Sequence, residues 1–275
     1  RVVLAVTAVL AFSSMCFGWG QEGHLMIARI AESYLTPKTK AAVAELLGKQ
    51  TPCDVATWAD YIRTQPGYEW SKVLHGASVP KDNSKFDMDR DCKKGCAVSA
   101  ILRFTDTLKD PKAGRKDRVE ALKFIIHFVG DLHQPIHVIS RDEDRCTRSD
   151  LTFFSEPARL HKVWDALILL RAGKQWEPYA EELRKKITPE LFAKWASSTD
   201  PVDWANESHE ITVRYAYDLP KDGKLGQEYC DRCLPPLEIR IQQGGVRLAA
   251  RLNAIFDPGA TTRPSAAKNA SAKSQ

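Results

Sequence analysis

The 275-residue sequence predicts an all-α fold, a single helical domain with a cleft able to hold metal. Three observations carry that reading. Apolar residues recur at helical spacing through most of 21–256, and no run of alternating apolar and polar residues reads as a strand. Two short segments each set a His and an Asp four residues apart, which puts both side chains on one helix face. The last helical stretch lines up Leu237, Ile241, Leu248, Leu252 and Ile255 as one apolar face.

Residues 1–18 are an apolar run behind a single positive charge, Arg1, closed by the small Gly18. They read as a secretory signal cut before Trp19. The run is short for a membrane span, and a tethering anchor is the alternative. Helices are then expected over 21–35, 39–48 and 54–64, the last carrying Asp60 with Arg63 one turn on. A fourth covers 97–109. The fifth, 117–133, carries the first His/Asp pair, and Pro135 ends or bends it so that His137 swings to the same pocket. Residues 158–171 carry the second pair. Further helices cover 173–186, 189–197, 201–217 and 236–256, the last weakened by Gly244-Gly245. Loops fall at 64–72, 78–96, 138–157 and 218–235. From Asp257 to Gln275 the chain is Ala/Ser/Thr/Lys-rich without periodicity, the composition of a disordered tail. The division is therefore a signal over 1–18, a folded domain over 19–256 and a tail over 257–275.

The formal net charge is +5, compatible with a polyanionic substrate without demanding one. Beyond the expected signal lie Cys53, Cys92, Cys96, Cys146, Cys230 and Cys233, an even number that suits disulfides in an exported chain. Cys92/Cys96 and Cys230/Cys233 are each close enough to shut a small loop, although spacing does not give the connectivity.

His127-x3-Asp131, His161-x3-Asp165 and His137 supply five candidate ligands in a chain with seven His. Imidazole and carboxylate without thiolate favour zinc or a similar divalent ion. The plainer alternative is surface helix residues or satisfied core histidines. His24, Asp60 with Arg63, and His75 stand at further suggestive places.

In order along the chain come Trp19-Gly20-Gln21-Glu22-Gly23-His24, Trp58-Ala59-Asp60-x2-Arg63, Leu74-His75, His127-Phe-x-Gly-Asp-x-His-Gln-Pro-x-His137 and Leu160-His161-x-Val-Trp-Asp165. This set resembles the single-strand-specific trinuclear zinc nucleases of fungi, plants and bacteria, the mung-bean nuclease type, from Trp19 to about Asn253. The resemblance implies the helical fold shared with zinc phospholipase C. It implies a secreted or periplasmic monomer without stable membrane association. That enzyme would hydrolyse single-stranded DNA and RNA to 5′-phosphorylated products, with 3′-nucleotidase activity besides. It implies three zinc ions: one on Asp60, His75 and His127; a second on His24 and on the amine and carbonyl of Trp19, bridged to the first by Asp131; a third on His137, His161 and Asp165. Asp60 would also orient the attacking water, and Arg63 would face the phosphate. His133 and His209 match no ligand position. Phe86–Cys92 and Trp204–Ser208 resemble further family stretches with structural roles.

The match fails at the base pocket. The family carries a bulky, usually aromatic residue directly after the Leu-His histidine and an Asp or Asn two places later. This chain has Gly76 and Ser78. Where the family has Gly-Gly-Asn, it reads Cys146-Thr147-Arg148-Ser149-Asp150. Little discrimination among bases is therefore expected, with Phe153 or Phe154 either a replacement platform or core aromatics. A zinc phospholipase C acting on lipid headgroups is the alternative enzyme, although that family usually ends its ligand set in His-x3-Glu. A non-catalytic zinc-stabilised module is the third class, disfavoured because structural zinc sites are closed four-ligand cages.

Overall fold

Four helices begin at a capping residue followed by proline, which is the local chemistry that starts a helix most economically. Thr36, Thr51, Thr188 and Asp200 each accept a backbone N–H with the side chain, and Pro37, Pro52, Pro189 and Pro201 follow at the first helical position. The computed structural model describes residues 20–82, 85–139 and 150–259. The expected signal over 1–18, Trp19, Cys146 and the tail from 260 onward lie outside those residues.

The elements run α1 (Gln21–Tyr34), α2 (Pro37–Leu47), α3 (Pro52–Val55), α4 (Trp58–Ile62), a 3₁₀ segment (Glu69–Leu74), α5 (Met88–Asp91), α6 (Ala97–Lys109), α7 (Arg115–Leu132) and a 3₁₀ turn (Pro135–His137). There follow β1 (Leu151–Phe153), β2 (Glu156–Ala158), α8 (Leu160–Lys162), a π-helical turn (Val163–Leu167) and α9 (Ile168–Arg171). The chain continues through α10 (Trp176–Lys185), α11 (Pro189–Ser197), α12 (Pro201–Ile211), a second π-helical turn (Thr212–Ala216), β3 (Lys224–Leu225) and α13 (Gln227–Phe256). The all-α expectation holds, and most expected helices appear within a few residues of their expected bounds.

The centre is α7. From Phe124 to Leu132 every residue is buried, so this half of the helix has no solvent face. It packs against α1, α2, α3, α4, α6, α12 and α13. Its end is governed by Pro135, which cannot continue the helix. The carbonyl of Leu132 accepts from the Ser208 hydroxyl at 2.6 Å, and the Thr212 hydroxyl donates to the Pro135 carbonyl. Residues of α12 and the turn after it thus satisfy the backbone acceptors that a buried helix end exposes. The Phe86 and Trp204 stretches also meet: the Phe86 amide donates to Asn206 Oδ1 at 2.8 Å.

Several expectations need correction. The segment 54–64 is two short helices, α3 and α4, separated by Ala56 and Thr57. The regions expected as loops hold a small sheet of order β2-β1-β3, with β1 antiparallel to β2 and parallel to β3. Strands of two or three residues are too short to show period-two alternation. The hairpin turn places Phe154 and Ser155 at positive φ, 51° and 73°. The last helix starts at Gln227, not 236, with Pro235 and Pro236 inside it. Burial of Tyr229, Cys230 and Cys233 holds that first stretch despite the missing proline donors. Cys230 and Cys233 are free thiols on a buried helix face, and the small loop that their spacing allowed is not closed. Cys92–Cys96 is a disulfide, as its spacing allowed.

Gly244 and Gly245 do not weaken α13; they let α1 lie against it. A Cβ on Gly245 would come within 2.4 Å of Ile30 Cγ2 and 2.6 Å of Ile30 Cβ. Ile30 Cβ is fixed to the α1 backbone and cannot swing aside. Gly245→Ala gains roughly 1 kcal/mol of helix propensity but forces apart a close-packed contact, at about 1–3 kcal/mol. The expected outcome is a net destabilisation of up to about 2 kcal/mol. A melting curve shows it as a lowered Tm; an unchanged or raised Tm would mean that the helices separate freely.

Candidate metal centre

Helix periodicity begins the site. His127 and Asp131 are one turn apart on α7, and His127 Nε2 stands 3.0 Å from Asp131 Oδ2. His161 and Asp165 repeat the spacing across α8 and the π-helical turn, with His161 Nδ1 2.7 Å from Asp165 Oδ2. The wider turn at Val163–Leu167 is the kind of local irregularity that accumulates at functional positions. The 3₁₀ turn set by Pro135 carries His137 between the two pairs. Its Nδ1 lies 3.2 Å from Asp131 Oδ1, and its Nε2 lies 3.5 Å from Asp165 Oδ1.

Three other elements complete the arrangement. From α1, His24 Nε2 reaches to 3.5 Å from Asp131 Oδ1, and its ring stacks on His127 at 4.0 Å between centroids. That approach depends on Gly130, where a Cβ would sit 2.7 Å from His24 Nδ1. At the end of the 3₁₀ segment, His75 Nδ1 lies 2.9 Å from Asp131 Oδ2 and 3.6 Å from Asp60 Oδ1. On α4, Asp60 Oδ1 is 3.8 Å from His127 Nε2, and Arg63 Nη2 meets the same oxygen at 3.0 Å. One carboxylate, Asp131, thus has four imidazoles around it: His24, His75, His127 and His137.

These side chains form three groups whose ligand atoms each lie within 4.8 Å of one another: His24/His127/Asp131, Asp60/His75/His127 and His137/His161/Asp165. Eight of the nine expected ligands and Arg63 come together. The ninth, Trp19, lies outside the described residues. The donor chemistry fits divalent cations. Asp131 is fully buried, yet the imidazoles close to its oxygens are not aligned to hydrogen-bond them, and Asp60 Oδ1, Asp165 Oδ1 and both His24 nitrogens likewise lack an aligned hydrogen bond among the described residues. Buried polar atoms left this way are costly unless something binds them. Orientation is fixed from outside: His127 Nδ1–H donates to the Ala56 carbonyl at 2.7 Å, which turns Nε2 inward towards the other candidate ligands.

Electrostatics makes the same point. Burial alone would raise Asp131, but His127 and His137 hold it well below the usual carboxylate range. Burial opposes charge on His127 as well; the carboxylates of Asp131 and Asp60 outweigh it and lift the ring to about 9. Burial pushes Asp165 up to about 7 and His75 down to about 4. Asp60, despite burial, is held low by His127 and Arg63. With protein groups alone, crowded carboxylates keep a proton on one ring and favour one on Asp165. Metal cations would replace both.

His133, which matches no ligand position, is a core residue. Its Nδ1–H donates to the Val129 carbonyl at 2.7 Å, and its Nε2 accepts from Arg247 at 3.1 Å. Burial, with Arg240 and Arg247 nearby, keeps it neutral well below the usual imidazole range. His209 is buried on α12 and belongs to none of the three groups. Phe153 is core, while Phe154 is half-buried under Arg171, 4.0 Å from its ring. Sequence reading missed the supports: Ala56, Gly130, and the chain Gln134 Nε2 → Trp164 carbonyl and Trp164 Nε1 → Tyr229 hydroxyl, which fixes the Asp165 segment. Gly130, Gln134 and Trp164 lie inside the two motifs, so a signal existed; Ala56 and Tyr229 have none.

A sequence model described as S1/P1 Nuclease matches residues 19–257. Endonuclease 1 of Arabidopsis thaliana is 33% identical over 282 residues, covering 93% of this chain and 92% of that protein. Nuclease S1 of Aspergillus oryzae is 31% identical over 288 residues, covering 93% and 98%. Nuclease P1 of Penicillium citrinum is 28% identical over 267 residues, covering 86% and 97%. These matches bear out the resemblance drawn from the motifs.

The pKa shifts predict how protein stripped of metal responds to pH. His127 keeps its proton to about 9 in the fold against an ordinary value of 6.5. Its contribution to stability is therefore fully present below 6.5 and lost as the pH rises to about 9. Asp165 acts in the same direction between 3.8 and about 7, where His75, lowered from 6.5 to about 4, opposes it. The uncompensated window is the His127 one. Chelated protein should melt at progressively lower temperature from pH 6.5 to 9, and added zinc should flatten that slope. Equal slopes with and without zinc would sever the cluster from metal binding.

Proposed function

The chain belongs to the S1/P1 nuclease family, enzymes that act on nucleic acids, and from that premise we propose that it is an exported, monomeric, zinc-dependent phosphodiesterase hydrolysing single-stranded DNA and RNA to 5′-phosphorylated products, with 3′-nucleotidase activity besides. The observation that carries this is the convergence of three His/Asp groups on Asp131, with Arg63 held against Asp60.

In this reading Asp60, His75 and His127 would hold one zinc, and His24 with the amine and carbonyl of Trp19 a second, with Asp131 shared between the two groups. His137, His161 and Asp165 hold a third. Gly20, the residue after Trp19, is tied to the site: its amide donates to the Asp165 carbonyl at 2.8 Å. Zinc in these groups supplies Lewis-acid activation of water and neutralises charge on the phosphate. Asp60 orients the attacking water with its carboxylate, and Arg63 adds a fixed positive charge beside the scissile phosphate. Three dications against Asp60, Asp131 and Asp165 leave the site positive, suited to a phosphodiester anion. Asp60, His75, His161 and Asp165 keep a few per cent of exposure while His127 and Asp131 have none, so the opening lies on the first side. A single strand bends into such a recess, whereas paired bases hold the backbone away. Gly76 is buried and Ser78 exposed, and neither offers a base a stacking face.

The test is zinc titration of chelated protein with single-stranded DNA, RNA, duplex DNA and phosphatidylcholine as substrates. Single strands should be cut, duplex far more slowly and the lipid not at all, with about three zinc ions bound per chain at full activity. Lipid hydrolysis without strand cleavage would replace this reading with the phospholipase one. Asp131→Ala should be the most damaging single change, because it removes the carboxylate that four imidazoles surround. Zinc content should fall with the rate, by about 10³-fold or more, the scale of losing a central electrostatic group. Near-normal zinc and rate in Asp131→Ala would remove its bridging role.

An N-terminal extension turns the Trp19 amine into an amide, which has no lone pair for metal. Protein carrying extra residues before Trp19 should fold, yet hold less zinc and cleave slowly until the extension is removed. Equal zinc and equal rates before and after removal would leave His24 as the sole ligand from this end.

A further inference from the structure

The segment around Asp60 carries rings that the metal chemistry does not use. Tyr61, the next residue on α4, is 63% exposed, and Trp70, on the 3₁₀ segment leading to His75, is 42% exposed. At about 100° per residue, Tyr61 lies on the arc of α4 between Asp60 and Trp58. Trp58, one turn before Tyr61 on α4, has its ring 6.2 Å from Tyr68, and Tyr68 stacks on Trp70 at 6.4 Å. Trp58 and Trp70 rest on Phe124, one turn before His127, at 5.0 and 5.6 Å. The rings are held in place. Trp70 Nε1 donates to the Gly67 carbonyl at 3.1 Å, and the Tyr68 hydroxyl donates to Glu120 at 2.7 Å.

Cations border the row. The Arg103 guanidinium lies over the Trp70 ring at 5.3 Å from its centroid, and Lys123 Nζ lies over the Trp58 ring at 5.2 Å. Of the nearby carboxylates, Glu120 is taken by Tyr68 and Glu69 by the Gly67 amide at 2.9 Å. Exposed flat rings flanked by positive charge, beside a phosphate-cleaving site, are the elements of a single-strand stacking track.

We propose that Tyr61 and Trp70, backed by Trp58 and Tyr68 and flanked by Arg103 and Lys123, form a stacking platform for bases of single-stranded nucleic acid next to the scissile phosphate. It takes over the grip that Gly76 and Ser78 do not provide. The proposal rests on the nuclease reading. Because every base has a π-face, such a platform grips without choosing among bases. It also selects against duplex, whose bases are already stacked on each other, while the cations hold either form by phosphate attraction.

The test is binding of fluorescent, hydrolysis-resistant phosphorothioate oligonucleotides, single-stranded and duplex, to zinc-loaded protein. Tyr61→Ala and Trp70→Ala should each weaken single-strand binding about tenfold, the lower part of the range for one stacked base, and leave duplex affinity in place. Trp70→Phe should retain most of the affinity, since it keeps a ring on Phe124. Arg103→Ala should weaken both forms and lessen the salt dependence. Tyr61 is exposed enough for its variant to fold whatever happens to Trp70→Ala. Single-strand affinity within about twofold of the parent in both alanine variants would overturn the platform, as would parallel losses for duplex. If the parent binds single strands in this ring-dependent way yet releases no fragments from an unmodified strand, the platform stands and the phosphodiesterase reading falls.

Discussion

A carboxylate with no exposure to solvent, Asp131, sets the terms for the rest of this structure. Removing such a charge from water costs several kcal/mol unless compensating charge surrounds it. Here the compensation comes from four imidazoles on four parts of the chain: α1, the end of the 3₁₀ segment before residue 76, α7 and the turn after Pro135. None reaches Asp131 unless its own element packs against α7 or follows directly from it. The fold and the site are thus one arrangement, and the buried half of α7 is the shaft on which both are built.

The far side of α7 is held by a different charge arrangement. Arg240 and Arg247 of α13 converge on Glu207 of α12, with Arg247 also donating to His133. Arg240 donates further to the Ser208 hydroxyl, which in turn caps Leu132. Breaking one member of a buried network of this kind costs more than the net worth of the contact, because it leaves the others unpaired. A line of hydrogen bonds therefore runs from the last helix through Ser208 to the end of α7, and through Thr212, bonded to the Ser208 carbonyl, to the Pro135 carbonyl, two residues before His137. Positioning of the ligands depends on this polar network as much as on apolar packing.

On the proposed reading, the exposed parts of the site serve the polymer. Asp60 and Arg63 lie at its open side, and the same short helix carries Tyr61 outward. The groups proposed to bind metal are deep and rigid, whereas the groups proposed to hold bases are shallow and ringed with cations. That division suits a polymer whose charge repeats at every residue while its bases vary. Chemistry is demanded at one phosphate, and grip at neighbouring bases need not distinguish among them. Loss of the expected base pocket at residues 76 and 78 is compatible with it.

The amino-acid order determined what depends on short spacing. Helix class follows from apolar period. The two His-x3-Asp pairs follow from one turn of helix. The redirection of His137 follows from a proline that lacks an amide hydrogen. The cap–proline pairs at residues 36–37, 51–52, 188–189 and 200–201 are equally local, and so is the Cys92–Cys96 bridge. Only tertiary packing decided what depends on distant contacts. Burial of Tyr229, Cys230 and Cys233 extended α13 back through two prolines and kept two thiols apart from any bridge. The Gly244-Gly245 pair, which reads locally as a weakness, is a groove for Ile30 once α1 lies across it. The small sheet exists because residues 151–153 meet 224–225, partners about seventy positions apart that no local pattern marks. The meeting of His24, Asp60 and His75 with the α7 pair is of the same kind. Family motifs named those residues, but a carboxylate and an imidazole share a charge only when folding brings them within a few ångströms, and that distance is a property of the packed chain.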